Sequence, residues 1–155
     1  MMTNNLLKLK ERIEIAREMG ESHFREFKSI FEGPPDNKKE RDFRSVCQDI
    51  GTTLVAFANA DGGELLIGVE DNGDITGVSF SETVINAVLN APKTYVHIKT
   101  PLPTLKSTLI ELDGKKILYF SVPKGSEYVY ITSDGKCLQR KDLENMIDVL
   151  WTRPK

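Results

Sequence analysis

Apolar residues recur at two different periods along the chain, and the change of period divides it. Leu6, Leu9, Ile13 and Ala16 follow a repeat close to 3.6 residues, which predicts an amphipathic helix over Asn4–Met19 stopped at Gly20. Leu7, Ile15 and Met19 lie off that stripe and offer a contact to a partner. Glu21–Ile30, with Phe24, Phe27 and Ile30 as apolar members, predicts a strand. Phe31–Lys39 predicts a loop, because Gly33-Pro34-Pro35 continues neither regular structure. The strongest helical repeat is Phe43, Val46, Cys47, Ile50, Leu54, Phe57 and Ala58, within a helix over Glu40–Ala60 whose Gly51 allows close packing. Leu65, Leu66, Ile67 and Val69 then run without alternation, the pattern of a short strand buried on both faces. That strand ends in Glu70-Asp71 and the turn pair Asn72-Gly73. Gly68 inside it predicts a bulge or a close backbone approach.

Ile75–Val78 can pair back across the turn, and Ser81 caps a helix running to Ala91 that Pro92 ends. Alternation over Thr94–Pro103 predicts an edge strand, limited by Pro101 and Pro103. The last third reads as two hairpins and a helix. Leu105–Leu112 and Lys116–Val122 flank Asp113-Gly114; Glu127–Thr132 and Lys136–Arg140 flank Ser133-Asp134-Gly135. Asp142 then caps a closing helix from Leu143 to about Trp151. The predicted class is α+β: one mixed, largely antiparallel sheet with helices packed on one face, the C-terminal half rich in hairpins. The predicted organisation is an N-terminal helix, 1–20, followed by a single domain, 21–155.

Composition narrows the function. With 155 residues, 39% apolar and 28% charged, the chain has the make-up of an ordinary globular protein. No apolar run approaches the roughly 20 residues that span a bilayer, so no membrane association is expected. Two separated cysteines, Cys47 and Cys137, disfavour a disulfide framework or a zinc site and point to the cytoplasm. Cys47 falls on an apolar face and reads as a buried thiol, while His97 has no nucleophile near it in sequence. No phosphate loop of the GKS or GKT kind occurs. The net charge of −2 does not favour nucleic acid, but its distribution is uneven. Ser45–Pro92 holds seven acids (Asp49, Asp61, Glu64, Glu70, Asp71, Asp74, Glu82) and no Lys or Arg, so all the bases lie in the flanks. An acidic centre between basic flanks suits a cation site beside a polyanion groove; solvated charge clustered by chance is the competing explanation.

Two blocks carry a resemblance: ESHFREFK at Glu21–Lys28, and AFANADGG running into ELLIGVEDNGDITG from Ala56. In this order, separated by an amphipathic helix, they resemble the Schlafen AlbA-like family, long described as DNA-binding. A weaker match at Leu138–Asp142 lacks the family's aromatic residue and glycine, and the whole resemblance covers roughly 21–141. It implies one of two activities. Many bacterial members are DNA-associated regulators. The Schlafen branch resembles a metal-dependent endoribonuclease of structured RNA such as tRNA, with two glutamates in an ExxxxEFK block and an aspartate ending a GVxD strand. Those positions here are Glu21, Glu26 and Asp71, which the resemblance makes catalytic and metal-ligating.

Hard oxygen donors without His or Cys suit Mg²⁺ or Mn²⁺, which would activate water and offset charge on a phosphate oxygen. Spacing alone does not bring the carboxylates together. Five residues place Glu21 and Glu26 on opposite faces of a strand, or about 140° apart on a helix, so they can share a metal only if the chain bends between them. The alternative is that Glu21 and Asp71 are surface acids while Glu26 pairs with Lys28 or an arginine. Lys28, Lys38, Lys39, Arg140 and Lys141 are the candidate contacts to RNA or DNA. Asp113 and Asp134 are explained by turn chemistry. Three functions stay open: a nucleic-acid-binding domain that cleaves RNA, a non-catalytic DNA-binding regulator, and a protein-interaction scaffold. A homodimer is expected, because the Schlafen branch carries two similar lobes and this chain one. Its candidate surfaces are Leu7, Ile15 and Met19, and an edge strand at Glu127–Thr132 with Tyr128 and Tyr130.

Overall fold

The computed structural model describes residues 4–147. Helix α1 (Asn4–Met19) ends where Gly20 turns left-handed (φ 82°) and donates its N–H to Ala16 O at 2.9 Å. Strand β1 (Arg25–Lys28) is shorter than its apolar pattern suggested, because residues 22–25 form a tight turn. The expected loop contains a small ribbon, β2 (Phe31–Glu32) with β3 (Lys39–Glu40). Helix α2 (Phe43–Ala58) starts at the Asp42 cap, and Gly51 lets Tyr95 lie where a Cβ would stand 2.7 Å from Tyr95 Cβ. The central strand β4 (Gly62–Ile67) buries Leu65, Leu66 and Ile67 completely, as its unbroken apolar run requires. Helix α3 (Glu82–Leu89) is capped by Ser81 Oγ, which accepts the Val84 N–H. The hairpin β5 (Lys106–Leu112) and β6 (Lys115–Pro123) turns through Asp113 and Gly114, both at positive φ.

The sheet order is β1-β4-β6-β5, with β1 parallel to β4 and the other pairs antiparallel. This is the mixed, largely antiparallel α+β sheet expected, but helices cover both faces rather than one. Leu65, Ile67, Leu118 and Phe120 pack with α2 and α3, while Phe27, Leu66, Ile110 and Ile117 pack beneath Leu9, Ile13 and Ala16 of α1.

Three expectations are corrected. Thr94–Pro103 is not a strand: Pro92 opens a one-turn helix, α4 (Ala91–Thr94), and only Val96 bridges to Thr132. Glu127–Thr132 and Lys136–Arg140 form no strand ladder: they meet only at the turn, where Thr132 N–H donates to Lys136 O and Gly135 N–H to Thr132 O, both at 2.9 Å. The Asn59 amide takes the groups such a ladder would use: it donates to Tyr130 O at 2.8 Å and Leu138 O at 2.7 Å, and accepts Tyr130 N–H at 2.8 Å. The closing helix is replaced, as far as Ile147, by β8 (Glu144–Ile147) paired with β7 (Leu138–Lys141). Asp142 sits at φ 54° in the connecting turn and does not cap a helix; the remainder of that predicted helix lies outside the described residues.

Candidate nucleic-acid interface

Strand β1 is an edge strand, and the residues around it close its open side. On the inner side Phe24 O and Lys28 O accept from Glu64 N (2.9 Å) and Gly68 N (2.8 Å). On the outer side Ser22 and Arg25 exchange backbone hydrogen bonds at 3.0 and 3.2 Å, reversing the chain just after Gly20. The chain thus bends between Glu21 and Glu26. It lays Glu21 alongside β1, where its Oε2 accepts the Phe27 N–H at 3.1 Å. An edge whose donors and acceptors are so used is a poor template for another strand.

Glu26 points to the opposite side of β1 from Phe27, toward α2, and is 7% exposed. Its Oε1 accepts from Arg140 Nη1 at 3.1 Å and its Oε2 from Thr53 Oγ1 at 3.0 Å; Lys28 Nζ stands 4.0 Å away. Arg140 is 2% exposed. It also donates to Asn145 Oδ1 at 3.0 Å, Ser22 O at 2.9 Å and Arg25 O at 3.2 Å, and its guanidinium lies 5.1 Å from the centre of the Phe57 ring. Arg140 therefore stitches β7 to the β1 edge; its head is spent inside the protein and does not reach a phosphate at the surface. The alternative in which an arginine and Lys28 meet Glu26 is the arrangement seen.

Asp71 is exposed in the turn after β4, where Gly73 N–H bonds Glu70 O at 2.8 Å and Arg17 Nε holds Gly73 O at 2.7 Å. That contact brings the end of α1, and so Glu21, toward the turn. Burial is the main cause of a raised Glu21 pKa; the carboxylates of Asp71 and Glu26 raise it further, against the Phe27 N–H and Arg140. The three acids thus share one electrostatic neighbourhood. They do not form a ligand set, because both Glu26 oxygens are engaged. Among the described residues, no group of three or more His, Cys, Asp or Glu is arranged to hold a metal ion. The donors are right in kind for Mg²⁺ or Mn²⁺, but this arrangement does not fit one. Lys38, Lys39 and Lys141 are exposed, and Lys28 is half-buried.

A second polar network escaped the sequence. Buried Glu64 accepts from Arg12 Nε (3.0 Å), Arg25 Nε (3.0 Å) and Tyr119 Oη (2.7 Å). Burial and the Glu64 carboxylate push the Tyr119 hydroxyl up to about 12, and the same carboxylate raises the Arg12 pKa. The available signal was an acid opening a strand buried on both faces, a position that requires a partner.

The family profile described as Schlafen, AlbA_2 matches residues 21–147. The DIP2311 protein of Corynebacterium diphtheriae superposes with a TM-score of 0.60 at 15% identity, over 81% of this chain and 22% of that one. This chain therefore spans about a fifth of that protein, and the likeness is one of fold. The N-terminal domain of a RecG-related protein from Nitrosomonas europaea matches with a TM-score of 0.48 at 22% identity, over 81% of this chain and 76% of that domain. No helix among the described residues is long and apolar enough to cross a membrane.

Proposed function

Because the chain belongs to the Schlafen AlbA_2 family, we propose that it is a nucleic-acid-binding domain that takes RNA or DNA along the outer side of β1. The observation that carries this reading is the buried pair of Glu26 and Arg140. It commits a carboxylate that hydrolysis would need and cancels its charge beside Lys28. Lys38 and Lys39, on the ribbon after β1, and Lys141, next to the stitching arginine, supply further exposed charge. Labelled tRNA, single-stranded RNA and duplex DNA test this by anisotropy between about 50 and about 200 mM salt. Affinity should fall steeply, because phosphate contacts release condensed counterions. A salt-insensitive complex would favour the protein-interaction scaffold.

A second reading, Mg²⁺- or Mn²⁺-dependent cleavage of structured RNA, would require Glu26 to give up Arg140 and Thr53 before the three acids could share an ion. Its support is that the chain reversal at residues 22–25 lays Glu21 beside β1, where Asp71 and Glu26 both act on it. It requires cleavage that a chelator stops and that Asp71→Asn abolishes; binding without cleavage leaves the non-catalytic module. The proposal includes a homodimer through the exposed side of α1, where Leu7, Ile15 and Met19 stand in solvent.

A further inference from the structure

On the α1 face of the sheet one row of residues is polar. The registers place Arg25 opposite Glu64, Glu64 opposite Ser121, and Ser121 opposite Lys106, so a single row crosses β1, β4, β6 and β5. Three inter-strand gaps of about 4.8 Å make it roughly 14 Å long. Helix α1 covers the neighbouring apolar rows and leaves this one beside Asn5, Lys8 and Arg12, which the i, i+3, i+7 spacing puts on one flank of the helix. Two adjoining clefts of about 400 and 480 Å³ lie here and share Arg12 and Ser121.

The charge in this groove is unevenly spent. Glu64 is its buried carboxylate and is met by Arg12, Arg25 and Tyr119. The acid at the mouth of the second cleft, Asp61, is held by His23 at 2.8 Å. Arg12 gives Glu64 its Nε and lies against the Tyr119 hydroxyl, while the ammonium groups of Lys8 and Lys106 have no hydrogen bond or ion pair among the described residues. Glu64 fixes Arg12 through its Nε, yet the Arg12 side chain is still 64% exposed, so its planar fork is open to a phosphate oxygen pair.

We propose that this groove between α1 and the polar row binds successive phosphates of a nucleic-acid strand, with Arg12 as the anchor where the two clefts join and Lys8 and Lys106 in the first of them. The proposal rests on the nucleic-acid reading above and adds to it a second contact, on the face of the sheet that begins at β1. Its length suits a strand that advances about 3.4 Å per nucleotide rather than a single phosphate. Two of its cations come from a helix that precedes the matched family region.

The test is anisotropy of labelled single-stranded RNA and DNA oligonucleotides with Arg12→Gln, Lys106→Gln and, as a charge-matched control on the other face, Lys93→Gln. Arg12→Gln should weaken binding about tenfold, the loss of a charge-assisted contact. Lys106→Gln should make the salt dependence shallower by about one counterion, while Lys93→Gln should change neither. Both tested side chains are exposed, so folding should survive, and Lys106→Gln decides the matter if Arg12→Gln does not fold. Wild-type binding matched by both variants would overturn the groove and leave the nucleic-acid reading standing; an equal loss in Lys93→Gln would do the same. A wild type that binds no nucleic acid would remove both. A mononucleotide binding as tightly as the oligonucleotide would overturn the strand as occupant.

Discussion

Among single residues, Arg140 has most at stake. A cation buried to 2% exposure with four oxygen partners is stable only while Glu26 remains opposite it. Removing it leaves a buried carboxylate without its countercharge, and takes one of two donors from each of the Ser22 and Arg25 carbonyls. Arg140→Met should therefore cost about 3–5 kcal/mol in urea unfolding. Arg140→Lys should rescue little, since one ammonium cannot reach acceptors spread around a planar fork. The double variant Glu26→Met with Arg140→Met should recover much of the loss, because the orphaned charge goes with it; a double variant as unstable as the single one would contradict this account. Glu21 carries the opposite sign. Its folded pKa is raised above 4.5, so ionisation opposes folding. The protonated group's contribution is complete below the ordinary carboxylate range and is lost as pH rises through the folded value. Glu21→Gln keeps an oxygen for the Phe27 N–H and removes the ionisation. Its melting temperature should match or exceed wild type at pH about 7, with the gap closing in acid. A variant less stable at neutral pH would mean that Phe27 needs the full charge.

At the scale of elements, what could be read in advance was what periodicity and local turn chemistry dictate. Helices α1, α2 and α3, the doubly buried β4 and the Asp113-Gly114 hairpin each carry their own signal. The missing hairpin ladder at Glu127–Arg140 has a physical cause, a distant side chain that satisfies backbone groups. Tyr128–Tyr130 alternates like a strand, yet Asn59, some seventy residues earlier in the chain, takes both backbone groups of Tyr130 and the Leu138 carbonyl. Nothing local to either segment announces this. Leu138–Lys141 then pairs with Glu144–Ile147, whose apolar residues also fit a helix over so short a span. The candidate site divides in the same way. The Glu26–Lys28 relation follows from two-residue spacing on a strand, whereas Arg140 lies 114 residues from Glu26 and reaches it only through the fold. Asn59→Ala should release the 130 and 138 segments together. With three hydrogen bonds lost and partly buried groups left unpaired, the cost should be about 2–4 kcal/mol. Hydrogen exchange should rise first at Tyr130. Unchanged protection there would show that packing of Tyr130, not the amide, holds the segment.

For the whole molecule, the sheet has two faces and needs two covers, and α1 supplies the second. Leu9, Ile13 and Ala16 are buried against Phe27, Leu66 and Ile117, although the helix precedes the matched family region at residues 21–147. Its outer side is less settled: Leu7, Ile15 and Met19 are 48%, 56% and 71% exposed, an apolar group on a helix already anchored by its inner stripe. The expected edge at Glu127–Thr132 offers no second surface of this kind, since it is not a strand and Tyr130 is buried. A twofold contact is the commonest way for one such patch to cover itself. Two copies meeting at Ile15 and Met19, in the C-terminal half of α1, would leave Asn5, Lys8 and Arg12 in the N-terminal half open on each subunit and double the phosphate-binding surface. Light scattering at micromolar concentration should then give a mass near twice 17.5 kDa, and Ile15→Glu should return it to the single-chain value without loss of thermal stability, because the side chain it replaces makes no core contact. Nucleic-acid affinity should drop with the mass, since two linked grooves hold a strand more tightly than one. A wild type that scatters as a single chain would remove the dimer, leaving one groove to carry the measured affinity.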